Sequence, residues 1–312
     1  MIGKGGWQSP PTEAQLRAIL ARLLPEAANA RLDIQARQVE VPSRHRHGLA
    51  FAGDYVIKFA WSASAAGLVL EQASILNALA GLSLPVPVPL AVNTDPALLV
   101  YRRLPGKALS WSAKAASDDA IIQTIGAQIG ELLARLHSPS TLQRLEAAGI
   151  ALPPPLPQST PDALRTRMFP LLDRRRANRA RILVDQVEEA LHSPCARTFL
   201  HGDFHGHNLL ISDDGLRLLG ALDFEESALG DPCYDLRYLP ALAPTLDLLT
   251  AVMASYERTG SRRLEQHRVL AWHVLTDLGD ALWRTEQGVM VVDGPIARRL
   301  DDLLVRLDHA GW

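Results

Sequence analysis

Apolar positions recur with strand-like spacing in the first third of the chain and with helical spacing through most of the rest. Residues 34–42 (IQARQVEVP), 48–52 (GLAFA) and 54–60 (DYVIKFA) predict strands, with Gly53-Asp54 as a tight connection. A helix is expected over about 66–81, ended by Gly81, and two further strands at 86–92 and 97–103. Before them, Leu16, Ile19, Leu20, Leu23 and Leu24 fall on one face of an amphipathic helix, and Thr12 with Gln15 resembles a capping box. Leu104-Pro105-Gly106 interrupts the strand pattern, because proline and glycine stop a strand and permit a hinge. Beyond it the pattern turns helical, with Ile125, Ile129, Leu132, Leu133 and Leu136 in phase over 118–137. Residues 152–157 (LPPPLP) predict a rigid structural loop, and helices follow at about 162–192. A strand pair, NLLIS and LRLLGAL, is joined through Asp213-Asp214-Gly215, and the chain is helical again from about 232.

This pattern predicts an α+β protein of two lobes. The smaller, residues 1–103, carries an antiparallel sheet and one helix; the larger, residues 104–312, is mainly helical, and the hinge lies at about 102–106. A cleft between such lobes is a natural ligand site.

The chain has 312 residues, of which 47% are hydrophobic and 21% charged, the balance of a globular protein. A net charge of −2 gives no reason to expect nucleic acid or an anionic membrane as partner. Two cysteines, Cys195 and Cys233, do not make a disulfide framework. The N-terminus lacks a continuous apolar run of signal-peptide type, and no segment approaches the length of a membrane span. The expected location is cytoplasmic.

The chemistry-bearing residues converge on 201–236, HGDFHGHNLLISDDGLRLLGALDFEESALGDPCYDL. Phosphoryl transfer needs a carboxylate to orient a hydroxyl and accept its proton, and oxygen donors that hold Mg²⁺ against the phosphates. Asp203 and Asn208 stand five apart, at the two ends of one short loop. The strand pair beginning at Asn208 returns the chain to Asp223, so Asn208 and Asp223 flank one point as hard oxygen ligands suited to Mg²⁺. Upstream, Lys58 interrupts an apolar strand and is a candidate for the α- and β-phosphates. Glu71 on the following helix is its candidate partner, and Asp231 and Asp235 are candidate braces for the catalytic and metal loops.

These residues resemble the aminoglycoside phosphotransferase family, antibiotic and small-molecule kinases of the protein-kinase-like fold. His201-Gly202-Asp203 with Asn208 matches the family's H-G-D-x-x-x-x-N loop. Leu222-Asp223, Gly230-Asp231-Pro232 and Asp235-Leu236 match its D…G-D-P-x-x-D-L element, and the likeness spans about residues 35–240. It implies that Asp203 is the catalytic base, that Asn208 and Asp223 bind Mg²⁺, and that Lys58 with Glu71 positions the triphosphate of ATP or GTP. It also implies that the backbone of Arg102 and Leu104 meets the base. The loop Val41–Gly48 departs from the family in having a single glycine; Ser43 and the amides after it are left to cover the phosphates, with Arg44 or Arg46 adding charge. Tyr101 precedes the base-contacting hinge. Its ring either fills the back of the base slot, favouring GTP, or packs into the core and leaves ATP as donor.

The acceptor expected is a small-molecule hydroxyl, since only six residues separate Asp223 from Gly230 and leave no room for a protein-kinase activation segment. An aminoglycoside- or macrolide-type antibiotic leads, with a choline- or sugar-like metabolite as the alternative. A polycation would use Glu225, Glu226, Asp277, Asp280 and Glu286; a macrolide would use Trp272, Leu275 and Trp283. A rival reading takes His201, Asp203, His205 and His207 as zinc ligands of a hydrolase. It leaves Lys58, Asn208, Asp223 and the hinge without a role.

Overall fold

A computed structural model describes residues 6–36, 43–109, 118–243, 245–260, 262–289 and 295–312. The chain opens with helices α1 (Glu13–Leu23) and α2 (Pro25–Ala28). Thr12 caps α1 and Gln15 returns the bond, the capping box that the sequence signals. A five-stranded antiparallel sheet follows in the order β1-β2-β3-β5-β4, from β1 (Leu32–Ala36), β2 (His47–Ala52), β3 (Tyr55–Ala60), β4 (Pro89–Thr94) and β5 (Ala97–Arg102). The turn from β2 to β3 is Gly53-Asp54, with Gly53 at φ +60°, a conformation glycine adopts without steric cost. Helix α3 (Ala63–Leu79) connects β3 to β4 and is capped by Ser62.

The central strand β3 is buried on both faces, which explains a sequence apolar at every position but Lys58. Ile57 and Phe59 join Leu16, Ile19 and Leu20 of α1 in one core cluster. Val56 and Ala60 join Val69, Ala73 and Leu76 of α3 in the other. Lys58 shares the α3 face with Val56 and Ala60 by the two-residue period of a strand. It is therefore a lysine placed inside a core layer, only 4% exposed.

After β5 come β6 (Lys107–Ala108), α4 (Asp119–Leu136) and α5 (Pro139–Ala147), then an extended segment to α6 (Pro161–Ala163). A π turn (Leu164–Met168) and a 3₁₀ turn (Phe169–Leu171) separate α6 from α7 (Arg174–His192), which Asp173 caps. The strands β7 (Thr198–Leu200), β8 (Leu209–Ile211), β9 (Leu218–Ala221) and β10 (Ala228–Gly230) form two small sheets, β10-β7 and β6-β8-β9. A 3₁₀ segment (Pro232–Ala241) and helices α8 (Asp247–Thr259), α9 (Gln266–Glu286) and α10 (Ile296–His309) complete the helical region. The proline-rich loop is structural, as the sequence suggests: Leu229 N–H donates to Pro153 O (2.8 Å) and the Tyr234 hydroxyl to Leu156 O (2.9 Å). Expected strand 34–42 is observed as β1 over 32–36, and its residues 37–42 lie outside the described set. Expected strand 86–92 is shifted to Pro89–Thr94.

Candidate active site

Strand β7 is wholly buried and delivers His201-Gly202-Asp203 to the edge of the helical region. The turn after it is fixed by one carboxylate. Asp235, fully buried, accepts from the amides of His201 and Gly202 (2.8 Å each) and from His137 Nε2 (3.0 Å). Burial opposes its charge, yet the His137 bond and the nearby His201 hold its pKa below the ordinary carboxylate value. Gly202 has φ +86°, and a Cβ there would lie 1.7 Å from Glu226 O, so only glycine fits. The His201 ring is buried and bonds Leu222 O through Nε2 (2.8 Å), while Leu222 N–H donates to Asn208 O (2.8 Å). These two bonds bring the end of β9 beside the loop and place Asp223 next to Asn208.

Asp203 sits in a cationic setting. His205 Nε2 is 3.2 Å from its Oδ2, and the Arg237 guanidinium is 3.9 Å from its Oδ1. Burial works against the charge, but His205 and Arg237 outweigh it and bring the carboxyl down to about 2. His205 Nδ1 accepts the His207 amide (3.1 Å), so the ring proton stands on Nε2, facing Asp203. Arg237 is itself buried. It donates to Gly202 O (2.7 Å) and lies between the rings of Tyr234 and Tyr238, 3.8 and 4.2 Å from their centroids. Asn208 Nδ2 donates to Asp203 O (2.9 Å), which orients the amide and leaves Oδ1 without a hydrogen bond among the described residues.

Asp223 has φ +64°, an uncommon conformation for a residue other than glycine, and its side chain is 41% exposed. Lys58 reaches it from the sheet: Nζ is 2.8 Å from Asp223 Oδ1, 2.8 Å from Glu225 Oε1 and 2.8 Å from Gln72 Oε1. Burial alone would push the ammonium down, but the two carboxylates hold its pKa above the ordinary lysine value, so it is charged. His47 Nδ1 lies 3.3 Å from Glu225 Oε1, and burial holds this imidazole below its usual value. A cavity of about 620 Å³ opens here, lined by His45, His47, Leu49, Lys58 and Asp223. Asp223 lines this cavity, and the Leu222–Asn208 bond sets Asn208 Oδ1 beside its carboxylate, so the two make a pair of hard oxygen donors. That set fits Mg²⁺, which takes one or two protein oxygens and fills its remaining positions from water and phosphate.

Ser43 opens a short 3₁₀ turn (Ser43–His45), and its carbonyl accepts from the Ser62 hydroxyl. Arg44 reaches across to form an ion pair with Glu226. At the end of β5, Arg103 N–H is bonded to Asp54 O (2.7 Å), the Arg102 guanidinium is 5.5 Å from the Tyr55 ring centroid, and Leu104 packs over Gly220. Tyr101 is buried in the α3-side core, and that burial pushes its phenol up to about 12.

Several expectations are corrected. The Lys58–Glu71 ion pair is not formed: α3 turns Gln72 toward Lys58, while Glu71 is exposed and lines a separate cavity with Arg44 and Glu226. The zinc reading fails because the histidines diverge. His201 is buried on Leu222 O, His205 is turned to Asp203, and no group of three or more His, Cys, Asp or Glu among the described residues is placed to hold a metal. The carboxylates proposed for a polycation do not form a set: Glu226, Asp277, Asp280 and Glu286 pair with Arg44, Arg299, Arg284 and Arg167, and Glu225 belongs to Lys58. Asp235 braces the loop as expected, but Asp231 instead anchors α9 through Arg268 and Trp272. Sequence reasoning missed Gln72, Arg237 and His137. Arg237, next to the matched Asp235-Leu236, had a signal in a cation flanked by Tyr234 and Tyr238; the other two had none.

Comparison with known proteins agrees with this geometry. The family model described as the phosphotransferase enzyme family (APH) matches residues 36–269. A viomycin phosphotransferase of Streptomyces vinaceus is 30% identical over 237 residues, covering 72% of this chain and 78% of that protein. The GDP complex of wild-type aminoglycoside 2'-phosphotransferase-IIIa superposes with a TM-score of 0.67 at 19% identity, over 96% of this chain and 99% of that one. A choline/ethanolamine kinase family protein from Mesorhizobium loti gives 0.63 at 20% identity, over 95% and 93%. At these identities the two structures speak to fold alone. With the motif loop, the braced turn and the family match in agreement, the chain belongs to the APH phosphotransferase enzyme family.

Proposed function

We propose that the chain transfers the γ-phosphoryl group of ATP or GTP to a hydroxyl of an antibiotic, with Mg²⁺ as cofactor. The observation that carries this reading is the convergence of Asp203, Asn208 and Asp223 on one side of the cleft with Lys58 on the other. The backbone of Arg102 and Leu104 receives the base beside Tyr101, and the 3₁₀ turn at Ser43 lies over the phosphates. Lys58 meets the α- and β-phosphates. Asn208 and Asp223 would hold Mg²⁺, which neutralises phosphate charge as the leaving oxygen separates.

Asp203 accepts a hydrogen bond from the acceptor hydroxyl and aims it. A carboxylate with a pKa of about 2 is a weak base, so it orients in the ground state. The hydroxyl proton passes to Asp203 only as the new P–O bond forms and the bridging β–γ bond breaks, releasing the nucleoside diphosphate. The matched viomycin phosphotransferase supports an antibiotic acceptor. The test is a panel of cyclic-peptide, aminoglycoside and macrolide antibiotics, with choline and sugars beside them, scored for phosphorylated product by mass spectrometry. An antibiotic product whose rate falls about 10²–10⁴-fold in Asp203→Ala is expected. A metabolite product alone would overturn the antibiotic assignment, and full turnover in Asp203→Ala would overturn the role of the carboxylate.

A further inference from the structure

Lys58 is buried between the sheet and α3, and a buried ammonium must keep a compensating charge. On the kinase reading, Asp223 is the carboxylate that Mg²⁺ claims, so it cannot serve as the lysine's lasting partner. The helix offers no replacement: Gln72 is neutral, and Glu71 is turned out of reach. Glu225 remains. Its side chain is only 10% exposed, against 41% for Asp223. Its Oε1 stands 2.8 Å from Lys58 Nζ and 3.3 Å from His47 Nδ1, so one oxygen faces the cation of β3 and the imidazole of β2. Buried as it is, this oxygen has no hydrogen-bond partner of good geometry among the described residues, and it is held in place by charge.

The geometry points to Glu225 as the positioning residue that retains Lys58 in the cleft when nucleotide and cation take Asp223, a duty moved from α3 to the loop after β9. This rests on the kinase reading. Without Glu225, Asp223 is the only anion left to Lys58 among the described residues, and the lysine competes with the cation for it. The carboxylate works by charge at this spot, so an acid supplied from α3 at position 72 should replace it.

The experiment is titration calorimetry of MgADP and MgGDP, over a range of Mg²⁺ concentrations, on wild type, Glu225→Gln, Glu71→Gln and the double variant Gln72→Glu/Glu225→Gln. A close charge pair of this kind implies a loss of about tenfold to a hundredfold in affinity for Glu225→Gln, with more Mg²⁺ needed for half-maximal binding. The double variant should return to within about threefold of wild type on the same scale. Glu71→Gln should bind as wild type does. Unchanged affinity in Glu225→Gln, an equal loss in Glu71→Gln, or no recovery in the double variant overturns the inference. If Glu225→Gln does not fold, the double variant decides: folded and binding, it supports the inference; unfolded despite the restored charge, it shows that Glu225 serves packing, and the inference fails. A wild type that binds neither nucleotide sinks the kinase reading itself, whereas binding that ignores Glu225 sinks only this inference.

Discussion

At the scale of single residues, the convergence of Asp203, Asn208 and Asp223 was readable because its spacing is local. Five residues separate Asp203 from Asn208, and one hairpin returns the chain to Asp223. The partner of Lys58 was not readable, because it depends on helical phase. One step along a helix turns a side chain by about 100°, so the choice between Glu71 and Gln72 is a question of rotation that an apolar pattern leaves open. The acidic residues of the C-terminal region show the same limit. Asp280–Arg284 has i,i+4 spacing and is visible in the sequence, but Glu286 finds Arg167 across 119 residues. Tyr101 is where residue-scale reading bears on donor choice. Its ring lies in the core, close enough to Lys58, Asp223 and Glu225 to feel their charges. If it shapes the base slot, Tyr101→Ala should move the ratio of kcat/KM for GTP over ATP by about tenfold toward ATP, a change of roughly 1.4 kcal/mol. A wild type that strongly prefers ATP, with a ratio unmoved by the substitution, would leave the ring a packing role only.

At the scale of elements, strands and long helices were legible, and their contacts were not. Trp272 and Trp283 are eleven residues apart and share a face of α9. Yet Trp272 is half-buried with its indole on Asp231, and Trp283 is 52% exposed. The segment at Gln158 and Ser159 crosses α9 against Gly279, and Trp283 lies one turn beyond that cover. Glycines at helix crossings carry the same kind of hidden information. On α4, a Cβ at Gly130 would come 2.3 Å from Val252 O and 2.7 Å from Ser255 Cβ of α8, and Ser255 already donates to Ala127 O (2.7 Å). On α3, a Cβ at Gly67 meets nothing within 4 Å. The two glycines therefore predict opposite signs. Gly130→Ala should destabilise by about 1–3 kcal/mol, because two packed backbones must separate. Gly67→Ala should stabilise by up to about 1 kcal/mol through helix propensity. Urea unfolding of both variants checks this, and equal signs would contradict the packing described between α4 and α8.

At the scale of the whole molecule, the α+β division into a sheet region and a helical region followed from the change in apolar period. What joins them did not, since the joining pairs are remote: Lys58–Asp223 is 165 residues apart in sequence and Arg44–Glu226 is 182. Buried histidines extend this linkage into the pH response of the entire fold. His273 of α9 donates from Nδ1 to Arg237 O (2.9 Å) and accepts at Nε2 from Arg306 (3.2 Å), which fixes it as the neutral ring beneath the cation that faces Asp203. Burial, reinforced by the charges of Arg306 and Arg299 and only partly opposed by Asp277, depresses its pKa from 6.5 to about 4. The unfolded chain therefore binds a proton there that the folded chain refuses. Its contribution to stability is complete above pH 6.5 and is lost as pH falls from 6.5 toward 4. Between pH 7.5 and pH 5 this one ring should remove about 2 kcal/mol of unfolding free energy. Glutamine at that position keeps a donor and an acceptor but does not titrate. The measurement is urea unfolding of wild type and His273→Gln at both pH values. The variant starts less stable at pH 7.5, and its loss on acidification should be smaller than that of wild type by about those 2 kcal/mol. Equal losses in the two proteins would mean that the imidazole gains its proton without cost in the folded state, and that the neutral ring holding Arg237 in place is wrongly assigned.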